Sequence, residues 1–174
     1  MPETPQQYRR RMMDNLGGQH PMAVQAATPG KLRRLVTAAS KQQLARRPAP
    51  GKWSTNEILA HLSETEIVIG YRLRTVLGKP GSAIQAFDQD QWAAAGDYAA
   101  RDAKKSLALF RSLRSANLEL LRSLKPEQWK QSGMHAERGE ESIETMVCMM
   151  AGHDVNHLRQ VEALIGRKPS SKKR

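Results

Sequence analysis

The sequence contains little cysteine, few aromatic residues and no long apolar segment, and each shortage excludes a class of protein. Its 174 residues include one cysteine, Cys148. This excludes a disulfide framework and any zinc site built from several cysteines. A single thiol suits a reducing compartment, so we expect a cytoplasmic protein. No apolar run approaches the roughly 20 residues that a membrane-spanning helix needs. We therefore expect no membrane partner.

Positive charge is abundant but unevenly distributed, with 28 Lys+Arg against 17 Asp+Glu and a net charge of +11. Residues 1–53 contain ten basic and two acidic residues, whereas residues 54–165 contain thirteen basic and fifteen acidic residues. A basic excess suggests a nucleic acid or an anionic surface as partner. Neither a DNA-reading motif nor stacking aromatics accompany the basic stretch at residues 31–52. Nucleic-acid binding is therefore the less favoured interpretation.

The positions of proline, glycine and basic residues divide the chain into three parts. They predict a flexible N-terminal arm at residues 1–27, a helical bundle at residues 28–166 and a basic tail at residues 167–174. The arm is rich in proline and glycine and has little apolar periodicity. Helical spacing of apolar residues predicts four helices, at residues 28–47, 54–78, 102–124 and 142–166. No stretch alternates with period two, so the sequence predicts an all-α four-helix bundle. The segment at residues 79–101 is then a long crossover loop between helices 2 and 3.

Two histidines four residues apart lie in the middle of the apolar stripe of the fourth helix. At about 100° per residue, His157 is about 40° from His153, between methionine, valine and leucine positions. On the second helix, His61 borders the inward apolar stripe. One ligand from one helix and an i, i+4 pair from another can form a metal site in a bundle core. Three imidazoles leave a coordination position open, as catalytic sites do.

Each of these residues also has a purely structural interpretation. A histidine on an apolar face can be a hydrogen-bonded core residue, and His135 suits a structural role or the rim of a site equally well. His20 lies in the predicted arm and is expected in solvent. Cys148 faces about 140° away from His153 on the same helix, so we expect it to be neither ligand nor nucleophile.

Other side chains near the histidines are candidates for supporting roles. Four polar residues lie within a turn of a proposed ligand and are candidates to orient the imidazoles: Glu57, Glu64, Asp154 and Asn156. For Glu57 the capping box with Ser54 is the favoured alternative. Three aromatic residues are candidates for the walls of a pocket, with core packing as the favoured alternative: Trp53, Trp92 and Tyr98.

Two segments that contain these histidines resemble the signatures of a known family. The run PGKWSTNEILAHL at residues 50–62 resembles the entry to the second helix of the DinB-like superfamily, which includes the DNA-damage-inducible and YfiT-like metal-binding bundles. The run GHDVNHLRQV at residues 152–161 resembles its fourth-helix signature, and residues 133–142 resemble the approach to that helix. The resemblance covers roughly residues 28–166.

The resemblance implies a four-helix bundle whose metal triad, by position, is His61, His153 and His157. It also implies a divalent metal such as zinc or nickel, a small-molecule substrate and a homodimer. Characterised relatives include thiol-dependent S-transferases and a mycothiol-dependent isomerase, so a low-molecular-weight thiol is a candidate cofactor. We expect a metal-dependent enzyme of the thiol S-transferase or hydrolase type. A non-catalytic metal-binding dimeric module is the alternative, and a basic nucleic-acid-binding protein is less favoured.

Overall fold

Four long helices form the body of the protein, and they contact one another as a closed ring. The computed structural model describes residues 3–166, which contain eight α-helices, one 3-10 turn and three short strands. In chain order the elements are α1 (Pro5–Leu16), α2 (Pro21–Ala38), α3 (Lys41–Ala45), α4 (Thr55–Gly78), β1 (Ala83–Ile84), α5 (Gln89–Ala95), the 3-10 turn Tyr98–Ala100, α6 (Ala103–Arg122), α7 (Pro126–Trp129), β2 (Ser132–His135), β3 (Gly139–Ser142) and α8 (Ile143–Ile165). Around the ring, α2 packs on α8, α8 on α4, α4 on α6, and α6 on α2. The predicted four-helix bundle is confirmed.

The starts of three bundle helices follow the capping signals in the sequence. The Ser54 hydroxyl accepts a hydrogen bond from the Glu57 backbone N–H, and the Glu57 carboxylate accepts one from the Ser54 N–H. This is the predicted capping box. Asp102 caps α6 and Ser142 caps α8 in a similar way, through their side-chain oxygens. Local chemistry therefore determined where these helices begin.

The predicted flexible arm is wrong for the part of residues 1–27 that the structure describes. Helix α1 has its own capping box at Thr4, and it packs along α8 with Met12 and Leu16 buried. Helix α2 begins at Pro21 rather than at Thr28. The prediction failed because two amphipathic segments separated by Gly17 and Gly18 have the composition of a loop. They form stable helices because they pack on the surface of α8.

Pro29 lies inside α2, where the sequence had suggested a helix start. A proline within a helix has no N–H to donate to the carbonyl four residues earlier, which is that of Gln25. Here that carbonyl accepts a hydrogen bond at 3.0 Å from the buried guanidinium of Arg114 on α6. The tertiary structure therefore compensates for the lost helical bond, and α2 continues through the proline.

The long connection between α4 and α6 is present, but it is more ordered than a simple loop. It contains β1, α5 and the 3-10 turn. Strand β1 pairs in parallel with β2, and β2 pairs in antiparallel with β3, which forms a small sheet that the sequence did not predict. Strands this short carry almost no periodic signal, so they went undetected.

Within residues 3–166, no helix is both long enough and apolar enough to cross a membrane. The predicted basic tail at residues 167–174 lies outside the described residues.

Candidate metal centre

The three predicted histidines converge at one point inside the bundle. The Nε2 atom of His153 lies 3.0 Å from Nε2 of His61 and 3.0 Å from Nε2 of His157. All three side chains are at most 7% exposed, and one ligand atom from each lies within 4.8 Å of the others. His61 comes from α4, whereas the other two are one turn apart on α8. The arrangement brings three nitrogen ligands to a single site.

Hydrogen bonding alone does not satisfy this cluster. Nδ1 of His157 faces the Gln160 side-chain oxygen at 2.7 Å, which places the proton on Nδ1 and leaves a lone pair on Nε2. A proton on Nε2 of His153 can be shared with only one of its two neighbours, so the other Nε2···Nε2 contact of 3.0 Å has no hydrogen bond to account for it. Nδ1 of His61 and Nδ1 of His153 are buried without a hydrogen-bond partner. A cation between the Nε2 atoms removes this conflict, so the residues fit a divalent metal.

Burial keeps the three imidazoles neutral. Desolvation is the main cause that lowers the pKa of His61 and of His153 well below the ordinary value, and the neighbouring histidines lower both further. Desolvation also lowers the pKa of His157 to about 4, against the opposing effect of its hydrogen bond to Gln160. Neutral imidazole is the form that binds metals. The site is therefore in its ligating state at neutral pH.

Aromatic residues cover one side of the cluster. The Trp53 ring lies 5.0 Å from the His61 ring, centroid to centroid, and 6.3 Å from the Tyr98 ring. Trp53 thus lines a cavity at the site and also packs against the core around α4. It is both a wall of the pocket and a core residue. Trp92 instead packs against Phe87 at the surface, away from the histidines.

The four predicted orienting residues make their hydrogen bonds elsewhere. Glu57 binds Arg47 and Ser54, and Glu64 accepts a hydrogen bond from the Tyr98 hydroxyl at 2.6 Å. Asn156 accepts one from Arg11 at 3.4 Å. Two residues that the sequence analysis missed do contact histidine nitrogens. The Thr65 hydroxyl lies 3.5 Å from Nε2 of His61, and the Gln160 side-chain oxygen faces Nδ1 of His157. They lie four positions after His61 and three positions after His157, so the helical spacing would have revealed both.

Asp154 belongs to a buried ion cluster beside the site. The Arg114 guanidinium donates to both carboxylate oxygens of Asp154, at 2.5 and 2.9 Å, and to Glu66 at 2.8 Å. All three side chains are at most 2% exposed. Together with the Gln25 carbonyl, this arginine ties α6 to the other three bundle helices. The cluster holds the register of α8, on which His153 and His157 lie.

The remaining candidates have structural or peripheral positions. His20 is exposed at the start of α2, as expected. His135 is buried on β2, where its Nδ1 accepts a hydrogen bond from the Glu137 backbone N–H at 3.1 Å. Cys148 is half-buried against α1 and α2, in a cluster with Val24, and does not line the cavities at the histidines.

Two cavities border the histidine cluster, and His153 lines both of them. The first, of about 490 Å³, is lined by His153 and His157 and by residues of α1, α8 and the segment before α4. The second, of about 370 Å³, is lined by His61 and His153 and by methionines of α8. Tyr8 of α1 lines both. The helix that the sequence described as an arm therefore forms a wall shared by the two cavities.

Comparison with known proteins gives consistent results. Residues 26–161 match the model of the DinB superfamily. The chain is 27% identical over 140 residues to "Putative metal-dependent hydrolase OB0782" from Oceanobacillus iheyensis, covering 80% of this chain and 81% of that protein. It is 26% identical to "Putative metal-dependent hydrolase YfiT" from Bacillus subtilis, covering 80% of this chain and 79% of YfiT.

The fold also matches a solved structure. The structure of Bacillus subtilis YfiT, described as "a probable metal-dependent hydrolase with an unusual four-helix bundle topology", superposes with a TM-score of 0.76. The match covers 95% of this chain and 91% of YfiT at 21% identity. Because the family model spans most of the chain, including all three clustered histidines, this protein belongs to the DinB superfamily.

Proposed function

We propose that this protein is a metal-dependent enzyme in which His61, His153 and His157 hold one divalent ion. The observation that carries the proposal is the convergence of three buried, neutral Nε2 atoms whose mutual contacts hydrogen bonding cannot satisfy. Zinc and nickel are the proposed metals, since both accept imidazole ligands. A divalent ion with an open position lowers the pKa of a bound water or thiol, so that hydroxide or thiolate forms near neutral pH.

The protein's own residues would prepare this site in three ways. Gln160 holds the proton of His157 on Nδ1, which keeps Nε2 free as a ligand. Trp53 covers His61 and limits water on that side. The buried Arg114–Asp154 pair fixes α8, and with it the spacing of the two histidines on that helix. The ligands are thus positioned before a metal arrives.

For the reaction we propose hydrolysis or transfer to a thiol, and the two differ in the number of organic reactants. The names of the relatives support a hydrolase. The two cavities that are both lined by His153 support a reaction in which two small molecules reach the centre through different cavities. A non-catalytic metal-binding module would bind the ion without turnover. The homodimer and the cytoplasmic location suggested by the sequence remain predictions.

Metal content tests the proposal directly. The wild-type protein, the H153A/H157A double variant and an H20A control would be purified identically and analysed by elemental mass spectrometry. We expect close to one equivalent of metal in the wild type and in H20A, whose histidine is exposed and lines neither cavity. The double variant should contain almost none. Equal metal content in all three proteins would refute the proposed centre.

Two assays on the metal-loaded protein separate the reaction classes. Hydrolysis of activated esters or amides measures water as nucleophile. Conjugation of an aryl chloride with a low-molecular-weight thiol measures transfer, in which a carbon–sulfur bond forms and chloride leaves. Activity in one assay that is lost in H153A/H157A assigns the class. A metal-loaded protein inactive in both assays would support the non-catalytic alternative.

A further inference from the structure

The first cavity, defined above by His153 and His157, has a distinctly basic lining. Three cationic side chains line it: Arg11, Arg46 and Lys52. Within residues 3–166 its lining contains a single carboxylate, that of Asp90. Arg11 is already paired with Glu3 through two contacts of 2.8 Å. Even when Glu3 and Asp90 are both counted, one positive charge remains uncompensated at the cavity.

Among residues 3–166, the two lining cations that have no carboxylate partner are Arg46 and Lys52. Arg46 donates a hydrogen bond to the Leu164 backbone carbonyl at 3.0 Å, and neither cation forms an ion pair in the part of the chain that is described. The neighbouring Arg47, by contrast, is paired with Glu57 and does not line the cavity. Two cations without an ion-pair partner in the described residues thus border a cavity that is also lined by His153 and His157.

The amide side chains in this cavity also offer donors. The Oδ1 atom of Asn156 is engaged by Arg11, and the Oε1 atom of Gln160 is engaged by His157. The NH2 group of each amide has no partner among the hydrogen bonds of the described chain. A ligand in this cavity therefore meets hydrogen-bond donors and positive charge, the combination that recognises carboxylate or phosphate oxygens.

The second cavity differs from the first in chemical character. Its wall includes three methionines of α8, Met146, Met149 and Met150, together with Phe87. Its carboxylates, from Glu3, Glu137 and Glu141, outnumber its two arginines. An anionic ligand is therefore attracted to the first cavity and not to the second.

We infer that the first cavity binds the anionic group of the substrate, a carboxylate or a phosphate, through Lys52, Arg46 and the NH2 groups of Asn156 and Gln160. This inference rests on the proposed function, since it places that group beside His157. Bound there, the anion orients the rest of the molecule toward the three histidines. The second cavity, with its methionines and its excess of carboxylates, is left for a group or a reactant without negative charge.

The test uses metal-free protein, so that an anion cannot simply ligate the metal. Titration calorimetry with inorganic phosphate and, separately, with malonate would be carried out on the wild type, K52Q and K31Q. Lys31 is exposed on α2 and does not line the cavity, so K31Q matches the charge change without touching the site. The anion that binds more tightly identifies the group that the cavity prefers.

We expect K52Q to raise the Kd of the preferred anion about fivefold or more, and K31Q to leave it unchanged, because a charge-assisted hydrogen bond acts only at contact distance. Equal affinities of K52Q and K31Q, or no measurable binding to the wild type, would overturn the inference. Metal content of the same preparations is measured separately. A protein that binds the anion but no metal would overturn the proposed function while leaving the anion site standing.

Discussion

Gly152 of α8 lies directly against the backbone of Met12 in α1, so that a Cβ built on the glycine would stand 1.7 Å from the Met12 carbonyl oxygen. No side chain fits in that space, because the obstructing atom belongs to a helix backbone. The residue next to Gly152 is the proposed ligand His153. The close approach therefore places α1, with Tyr8 and Arg11, over the histidines.

Replacement of Gly152 by alanine should displace α1 from α8. We expect a loss of about 1–3 kcal/mol in the free energy of unfolding, the usual range for overpacking, measured by urea denaturation. G30A is the matched control, because a Cβ on Gly30 of α2 meets only the end of the Arg34 side chain at 3.9 Å. G30A should be neutral or stabilising by about 0.5–1 kcal/mol. Equal stability of the two variants would contradict the proposed packing.

Removal of the Arg114 charge should destabilise the bundle strongly. In R114M, the buried carboxylates of Asp154 and Glu66 lose their cation, and the Gln25 carbonyl beside Pro29 loses its donor. Breaking a buried ion cluster in this way costs about 3–5 kcal/mol. R111M is the control, since Arg111 is exposed on the same helix. In thermal unfolding, R114M should melt at a clearly lower temperature than R111M. Similar melting temperatures would count against the role of Arg114.

Gln160 should affect the metal through His157 without being a ligand. In Q160A the Nδ1 proton of His157 loses its acceptor, and loss of such a partner typically weakens metal binding by about 10–100-fold. Q160E retains an acceptor oxygen and should largely restore the affinity. Competition with a chromophoric chelator measures each Kd. Unchanged affinity in Q160A would show that this hydrogen bond does not orient the imidazole.

The lowered pKa of His157 predicts how the stability of the metal-free protein depends on pH. The unfolded chain protonates this histidine near its ordinary value of 6.5, whereas the folded chain does so only near 4. The unfolded state therefore binds more protons as the pH falls through this window, and stability is lost there. For His157 alone the loss is about 3 kcal/mol. As the pH is lowered, the denaturant concentration at the unfolding midpoint should fall less steeply for H157Q than for H20A or the wild type.

The same neutrality predicts a shallow pH dependence of metal affinity. Imidazoles in a flexible peptide begin to protonate near about pH 6.5, and metal then competes with protons. In this protein burial lowers the pKa of all three clustered histidines, and that of His157 to about 4. We expect nearly equal Kd values for the metal at about pH 7.5 and about pH 6. A tenfold or greater weakening over this interval would contradict it.

Local signals in the sequence were enough to predict three of the four bundle helices and the identity of the candidate ligands. Apolar spacing and caps such as Ser54 are local signals, so they located α4, α6 and α8 to within a residue or two. The i, i+4 pair on α8 and the inward His61 likewise follow from helix geometry and the apolar stripes. These features depend only on residues near one another in the chain.

Tertiary contacts were needed to establish three further features: the packing of α1, the continuation of α2 through Pro29 and the residues that line the cavities. Each depends on a partner distant in sequence: Gly152 makes room for α1, and Arg114 replaces the hydrogen bond that Pro29 cannot make. A short helix gains most of its stability from the surface it packs against. Its sequence alone therefore could not distinguish a flexible arm from the helix that covers the histidines.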